Sequence, residues 1–423
     1  MKNEIIKNKV LIVGGNFHNK GAELMVRTAI SIIKALNTSC EPVIIDSFPD
    51  TERNTKKTNF KIINLPYYLN LTYVLLHGVN LNAFLIYKVI RCFLGSVCRK
   101  NILSDIRHYK ELHALKKKVC LVIDISGYGF KTANQREDMF NYIQIFFTVL
   151  SKKFEFPYIY FPQSFGSFAK ENSFFAKKLK KDIIVALDCS SQLFCRESKS
   201  LHNIREYTDF TNGILWADIV LLYPYKKNTF CLPTLLNKKD MQNSVVIIPN
   251  SRLYDYCDPK EIDFFFLKVI SYLSNHGYQV IILKHSADDS NIVKNIGESV
   301  CNLNNILILA DDYEIEVIDE VLSSAFFVIS GRYHGLVASL KNSVPCVATG
   351  WADKYNELMD IFDLNDYLFD FRLKCKVDLR VIDKIIENRE ALVSKIKNKN
   401  LKLAKKYPLK KFINYCNVTN CSG

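Results

Sequence analysis

Short apolar, β-prone runs alternate with helix-length stretches along the chain. Val10–Val13, Val43–Asp46, Val119–Asp124, Tyr158–Phe161, Val245–Pro249, Val280–Leu283, Ile306–Leu309, Phe326–Ile329 and Pro345–Ala348 read as strands, and Leu24–Leu36 and Gly335–Leu340 as helical. Strands separated by segments long enough for a helix imply parallel sheets with helices on both faces, so the expected fold class is α/β. A chain of 423 residues exceeds what one core usually spans, which predicts two domains of roughly 200 residues each. The polar, proline-marked stretch Pro224–Asp240 separates two strand–helix series. The expected divisions are residues 1–228 for an amino-terminal α/β domain, 229–385 for a carboxyl-terminal α/β domain and 386–423 for a basic helix and tail. Ligands of such sheets bind at the carboxyl ends of the strands and, with two sheets, in the cleft between them.

Composition narrows the class. Hydrophobic residues make up 48% of the chain, ample for two cores. MKNEIIKNKV runs straight into the first strand without a leader pattern, which predicts a cytoplasmic protein. None of the 13 cysteines forms a CxxC pair. Residues such as Cys40, Cys92, Cys120, Cys189 and Cys346 lie in apolar runs and read as reduced, buried small hydrophobes, and no metal site is expected.

The net charge of +14 is unevenly spread: from Phe371 onward there are 14 Lys/Arg against 4 Asp/Glu. Within that stretch Glu387–Tyr407 reads as a lysine-rich, partly amphipathic helix, either a solvated face or a surface drawn to anionic lipid headgroups at the inner membrane face. No recognition motif accompanies the charge, so nucleic acid is not an expected partner. Leu65–Leu94 is rich in aromatic and aliphatic residues, but Asn70, His77, Gly78, Asn80, Asn82 and Lys88 interrupt it. It lacks the run of about 20 apolar residues that a spanning helix requires, leaving core helices or a surface that docks on a membrane or lipid-carried substrate.

Candidate chemistry concentrates in Ile329–Leu358, where Gly331 ends a strand and a helix begins. Arg332 and His334 stand beside the unpaired N–H groups of that helix start, which favour anions. Arginine adds a planar fork suited to carboxylate or phosphate, and histidine a proton source that titrates near neutral pH. Arg252 follows another strand, and Lys284 and His285 follow a third, so these five basic residues are expected to converge on one pocket. In the first half, the polar loop Gly14–Glu23 leads into a helix, Ile125–Gly129 follows a strand, and Pro162–Gly166 follows another as a turn. GxGxxG, the GK[ST] phosphate loop, GxSxG and HExxH are all absent.

These residues resemble a known family, the polysaccharide pyruvyl transferases. The resemblance rests on GGNFHNKGAE, DISGYG, PQSFGSF, CRES at Cys195–Ser198, PNSR, LKHS and, above all, SGRYHGLVASLKNSVPCVATGWADKYNEL. It implies two Rossmann-like domains facing across a cleft, an architecture of the glycosyltransferase B type. It also implies transfer of pyruvate from phosphoenolpyruvate, as co-substrate and without a cofactor, to a sugar of a cell-surface polysaccharide or its lipid-linked precursor, forming a cyclic ketal. Arg332, Arg252, Lys284, His285 and Gly335 would bind the donor, with His334 as general acid. The amino-terminal domain would hold the acceptor through Asn16, Asn19, Gln163 and Ser164, with Glu23 as a base. A nucleotide-sugar glycosyltransferase of similar shape and a non-catalytic glycan-binding relative are the alternatives.

Overall fold

Both halves of the chain form parallel sheets, because each apolar strand is followed by a segment long enough to cross back over the sheet. The computed structural model describes residues 8–17, 19–37, 39–46, 61–64, 110, 114–130, 135–166, 168, 174–225, 241–373 and 377–416. By its internal contacts the chain divides into two units. One comprises Met1–Phe17, Met25–Ile219 and Pro408–Gly423; the other comprises His18–Leu24 and Val220–Tyr407.

The sheet of the first unit contains β1 (Lys9–Val13), β2 (Glu41–Asp46), β3 (Lys61–Asn64), β4 (Val119–Asp124), β5 (Tyr128–Gly129), β6 (Tyr158–Phe165), β7 (Gln192–Cys195) and β8 (Gly213–Leu215). Its order is β3-β2-β1-β4-β6-β7-β8, with β5 paired to β6. Helices α1 (Lys20–Leu36), α2 (Gln135–Lys153), α3 (Phe174–Cys189) and α4 (Ser198–Thr208) connect the strands. Strands β1 and β4 are almost wholly buried, as expected for parallel strands covered on both faces. Gly14 turns the chain out of β1 at φ +79°, and a Cβ there would lie 2.1 Å from Ser126 Oγ, so the turn accepts only glycine.

The second sheet has the order β11-β10-β9-β12-β13-β14. Its strands are β9 (Ser244–Ile248), β10 (Gln279–Leu283), β11 (Ile306–Leu309), β12 (Phe327–Ser330), β13 (Cys346–Gly350) and β14 (Leu368–Asp370). The helices that pack around this sheet include α5 (Pro259–Asn275), α6 (Ser290–Ser299), α7 (Ile315–Ser324), α8 (Tyr333–Lys341) and α9 (Asp353–Ile361). Helix α5 shows why such segments are helical. Asp258 caps it, accepting from Lys260 N at 2.8 Å, and Pro259 opens it. Ile262, Phe265, Phe266, Val269, Ile270 and Leu273 form one buried stripe at helical spacing.

The basic stretch is not one element. It divides into α10 (Arg380–Glu387) and α11 (Arg389–Lys406), both in the second unit, and α12 (Leu409–Cys416), in the first. Leu392 and Ile396 bury one side of α11, and Asn400 Nδ2 donates to Leu340 O at 2.7 Å. Phe412 of α12 packs among Phe161, Phe194 and Trp216, with ring centroids 4.8–5.3 Å away. The apolar sides of α11 and α12 thus pack these two helices into the second and the first unit respectively.

Leu65–Leu94 lies outside the described residues. Among those that are described, no helix is long and apolar enough to cross a membrane. Cys40, Cys120, Cys189, Cys195, Cys301, Cys346 and Cys416 are thiols, whereas Cys257 is disulfide-bonded. The expectation of wholly reduced cysteines is corrected at that position, since chain spacing does not disclose which sulfurs meet in space.

Candidate active site

Strands β9 and β12 are neighbours although β10 and β11 intervene in the chain, so connections leave the sheet in opposite directions there. Open parallel sheets bind ligands at such a reversal. The turn after β12 carries Gly331 and Arg332, and Arg332 is the N-cap residue of α8. Gly331 O accepts from Asn250 Nδ2, after β9, and from Tyr355 Oη, on α9, each at 2.7 Å. Two neighbouring loops therefore hold this turn. A Cβ at Gly331 would lie 2.8 Å from Asn250 Cβ, which explains the glycine.

Arg332 is oriented by Asp289. Its Nε donates to Asp289 Oδ2 at 2.9 Å, and Nη2 completes a two-pronged pair with Oδ1. The carboxylate is fully buried and also accepts from Ser251 N at 3.1 Å. Burial pushes the Asp289 carboxyl up, while the Arg332 charge and hydrogen bonds oppose that shift. Asp289 occupies one edge of the guanidinium, and the planar fork keeps further N–H groups for another anion.

His334 is the second residue of α8, in contact with a segment from the other end of the chain. Lys20 N donates to His285 O at 3.1 Å, Asn19 forms an antiparallel bridge with Ser286, and Asn19 Oδ1 accepts from Gly21 N at 2.9 Å. Gly21 rests against the His334 ring. Lys20 is buried and paired with Asp312 at 2.9 Å and Glu23 at 3.3 Å. Asn19 and Glu23 thus belong to the second unit, not to the amino-terminal domain in which they were expected. Tertiary pairing with His285 and Ser286 outweighs their position in the chain. Glu23 is buried against Lys20, an arrangement that holds a cation.

The remaining expected donor residues separate. Arg252 is exposed and pairs with Asp255 at 3.0 Å within the short turn that follows β9. Lys284 is half-buried at the end of β10. His285 is buried, and neither ring nitrogen has a hydrogen-bond partner among the described residues. Burial, followed by the charges of Arg332, His334 and Lys20, holds its pKa well below the usual histidine range. Its surroundings therefore favour the neutral imidazole over the cation. Gly335 N–H closes the first turn on Arg332 O at 3.0 Å, and a Cβ there would lie 2.6 Å from Ser330 Oγ, so this glycine serves packing.

In the first unit, Asn16 is half-buried in the loop after β1. Gln163 and Ser164 are strand residues of β6, not the turn that was expected, and both are buried. Gln163 Nε2 donates to Asp124 Oδ1 at 3.4 Å, and Tyr158 Oη donates to Oδ2 of the same carboxylate at 2.7 Å. Burial raises the Asp124 pKa. Ser164 Oγ donates to Glu197 at 2.7 Å and accepts from Arg196 at 2.6 Å; Arg196 also pairs with Asp218 at 2.9 Å. The CRES and PQSF motifs thus build an internal polar network, so the expected contact of Gln163 and Ser164 with an acceptor is not what the geometry provides.

Asp289, Asn250, Tyr355 and Lys20 support the site but were not singled out from the sequence. Tyr355 and Lys20 lie within motifs already noted, and Asn250 within PNSR. Asp289 carries no local mark. Among the described residues, no group of three or more His, Cys, Asp or Glu could hold a metal ion.

Comparison with curated proteins finds no match. Solved structures share the fold at low identity. UGT89C1 from Arabidopsis thaliana is 12% identical, with 98% of this chain and 100% of that chain covered and a TM-score of 0.56. A glycosyltransferase from Rickettsia africae is 13% identical, with 97% and 98% covered and a TM-score of 0.52. UDP-GlcNAc 2-epimerase from Neisseria meningitidis, bound to UDP-GlcNAc, is 11% identical, with 94% and 98% covered and a TM-score of 0.51. At such identities the likeness shows the fold alone: two Rossmann-like domains of the glycosyltransferase B type. Function rests on the sequence family. The polysaccharide pyruvyl transferase model matches residues 19–353, well over half of the chain, and the chain therefore belongs to that family of transferase enzymes.

Proposed function

We propose that the protein transfers pyruvate from phosphoenolpyruvate to two hydroxyls of one sugar, in a polysaccharide or its lipid-linked precursor, as a cyclic ketal. The observation that carries this reading is the Arg332–Asp289 pair at the start of α8, with His334 in the first turn of the same helix. Asp289 fixes the guanidinium plane, and its free edge suits the donor's carboxylate or phosphate through charge-assisted hydrogen bonds of roughly 1.5–3 kcal/mol each. Lys284 supplies a second positive charge.

His334 protonates the methylene carbon of the enol, leaving an oxocarbenium centre that still carries carboxylate and phosphate. The first sugar hydroxyl attacks that centre and loses its proton to His334. The C–O bond to phosphate then breaks, the second hydroxyl attacks the same carbon, and phosphate leaves with the remaining proton. General acid catalysis of this kind contributes typically 10²–10⁴-fold.

Incubation with phosphoenolpyruvate and candidate glycans tests the reading, with phosphate release and the mass of a pyruvate adduct as readouts. Arg332→Ala should abolish both while the far-ultraviolet spectrum stays unchanged. Normal turnover in that variant, or adduct formation from a UDP-sugar instead of phosphoenolpyruvate, would overturn it.

A further inference from the structure

The buried positions of Gln163 and Ser164 remove the expected contacts for the acceptor sugar. Exposed aromatic surface occurs instead beside Arg332. Strands β9 and β13 flank β12, and the loops that follow them bring two rings together. Tyr256, after β9, stacks on Trp351, after β13, with centroids 5.6 Å apart and planes inclined by 25°. Tyr256 is 43% exposed. Trp351 is held by the Tyr355 ring at 5.9 Å and by Lys354 Nζ at 5.0 Å from its centroid. Tyr355 in turn donates to Gly331 O, the residue before Arg332. The stacked pair is thus braced against the same turn that positions the candidate anion site.

We propose that Tyr256 and Trp351 form a platform on which a pyranose ring of the acceptor glycan lies. A pyranose presents a C–H-lined face that sheds water onto an aromatic ring, while its rim hydroxyls stay solvated. Rigid aromatic side chains supply that apolar area at little conformational cost. Two rings offer far less than the roughly 800 Å² per partner of a stable protein interface, so a single small ring is the fitting occupant. The proposal rests on the pyruvyl-transfer reading only in identifying this sugar as the acceptor.

The chain has two tryptophans, and the other, Trp216, is only 2% exposed. Emission from Trp351 can therefore report the platform without turnover. The full chain is titrated, without phosphoenolpyruvate, with methyl β-D-galactopyranoside, methyl β-D-glucopyranoside and N,N′-diacetylchitobiose. At least one should give a saturable change that disappears in Trp351→Phe. Binding should weaken about tenfold in Tyr256→Ala and return in Tyr256→Phe, because stacking uses the ring and not the hydroxyl. In turnover with an accepting glycan, Tyr256→Ala should raise the acceptor KM about tenfold and leave the phosphoenolpyruvate KM within about twofold.

No change with any of the three sugars overturns the proposal, as does a change that survives Trp351→Phe or is indifferent to Tyr256→Ala. Sugar-dependent emission without phosphate release would leave the platform standing and remove pyruvyl transfer. Pyruvyl transfer with an acceptor KM indifferent to Tyr256→Ala would do the reverse.

Discussion

Gly21 and His334 pack so closely that a Cβ on Gly21 would lie 2.5 Å from the imidazole Nδ1 and 2.7 Å from the histidine Cβ. The amino-terminal motif is thereby tied to the carboxyl-terminal one: the glycine of NKGAE makes room for the histidine of GRYHG. Gly21→Ala improves helix propensity in α1 by up to about 1 kcal/mol but must displace the His334 ring. The expected outcome is a fall in kcat of at least about tenfold with a small change in Tm. Unaltered kcat would show that the position of the ring does not matter to turnover.

Asp289 and Arg252 distinguish a largely buried charge pair from an exposed one. Asp289→Ala leaves the Arg332 guanidinium buried without its partner, and breaking a buried pair costs about 3–5 kcal/mol of stability. Donor KM should rise with it. The exposed Arg252–Asp255 pair predicts less than about 1 kcal/mol for Arg252→Ala. Urea midpoints and phosphoenolpyruvate KM values measure both; equal effects from the two variants would contradict the geometry.

His285 gives the fold a pH dependence with a definite sign. Its folded pKa lies well below the unfolded value of about 6.5, so below that pH the unfolded chain takes up a proton that the native chain refuses. Stability should hold above pH 6.5 and decline as pH falls through that value. His285→Gln cannot titrate and should flatten the decline in a series of denaturant midpoints. Identical slopes for the two proteins would rule this residue out as the source.

Arg196 is buried with Glu197, Asp218 and Ser164, and no exposed surface is involved. Arg196→Ala strands two carboxylates in the first core and should lose about 3–5 kcal/mol or fail to fold. A stable Arg196→Ala protein with impaired turnover would assign the CRES motif to chemistry instead of architecture.

Helix α11 exposes Lys397, Lys402, Lys405 and Lys406 together with Leu401, while Leu392 and Ile396 face inward. Each exposed lysine near an anionic bilayer contributes about 1 kcal/mol, so phosphatidylserine vesicles should retain the protein at low salt and release it as salt rises. Replacing the four lysines with glutamine should abolish retention. Failure of the unmodified protein to sediment with such vesicles would remove membrane contact from the account.

The α/β class, most buried strands and the Arg332–His334 turn could be read from the chain alone, because these depend on local quantities: apolar run length, glycine placement and helix-start chemistry. Val119–Asp124 and Ile306–Leu309 coincide with β4 and β11. Short strands such as β5, β8 and β14 carried too little apolar length to stand out locally. The site's wiring was a tertiary matter. Only the fold could bring Asp289 to Arg332 or Gly21 to His334, and bury His285 so that its pKa falls. Periodicity records which face of an element is buried. Charge state and pairing follow from what surrounds a side chain in space, and those surroundings come from segments as far apart in the chain as Gly21 and His334.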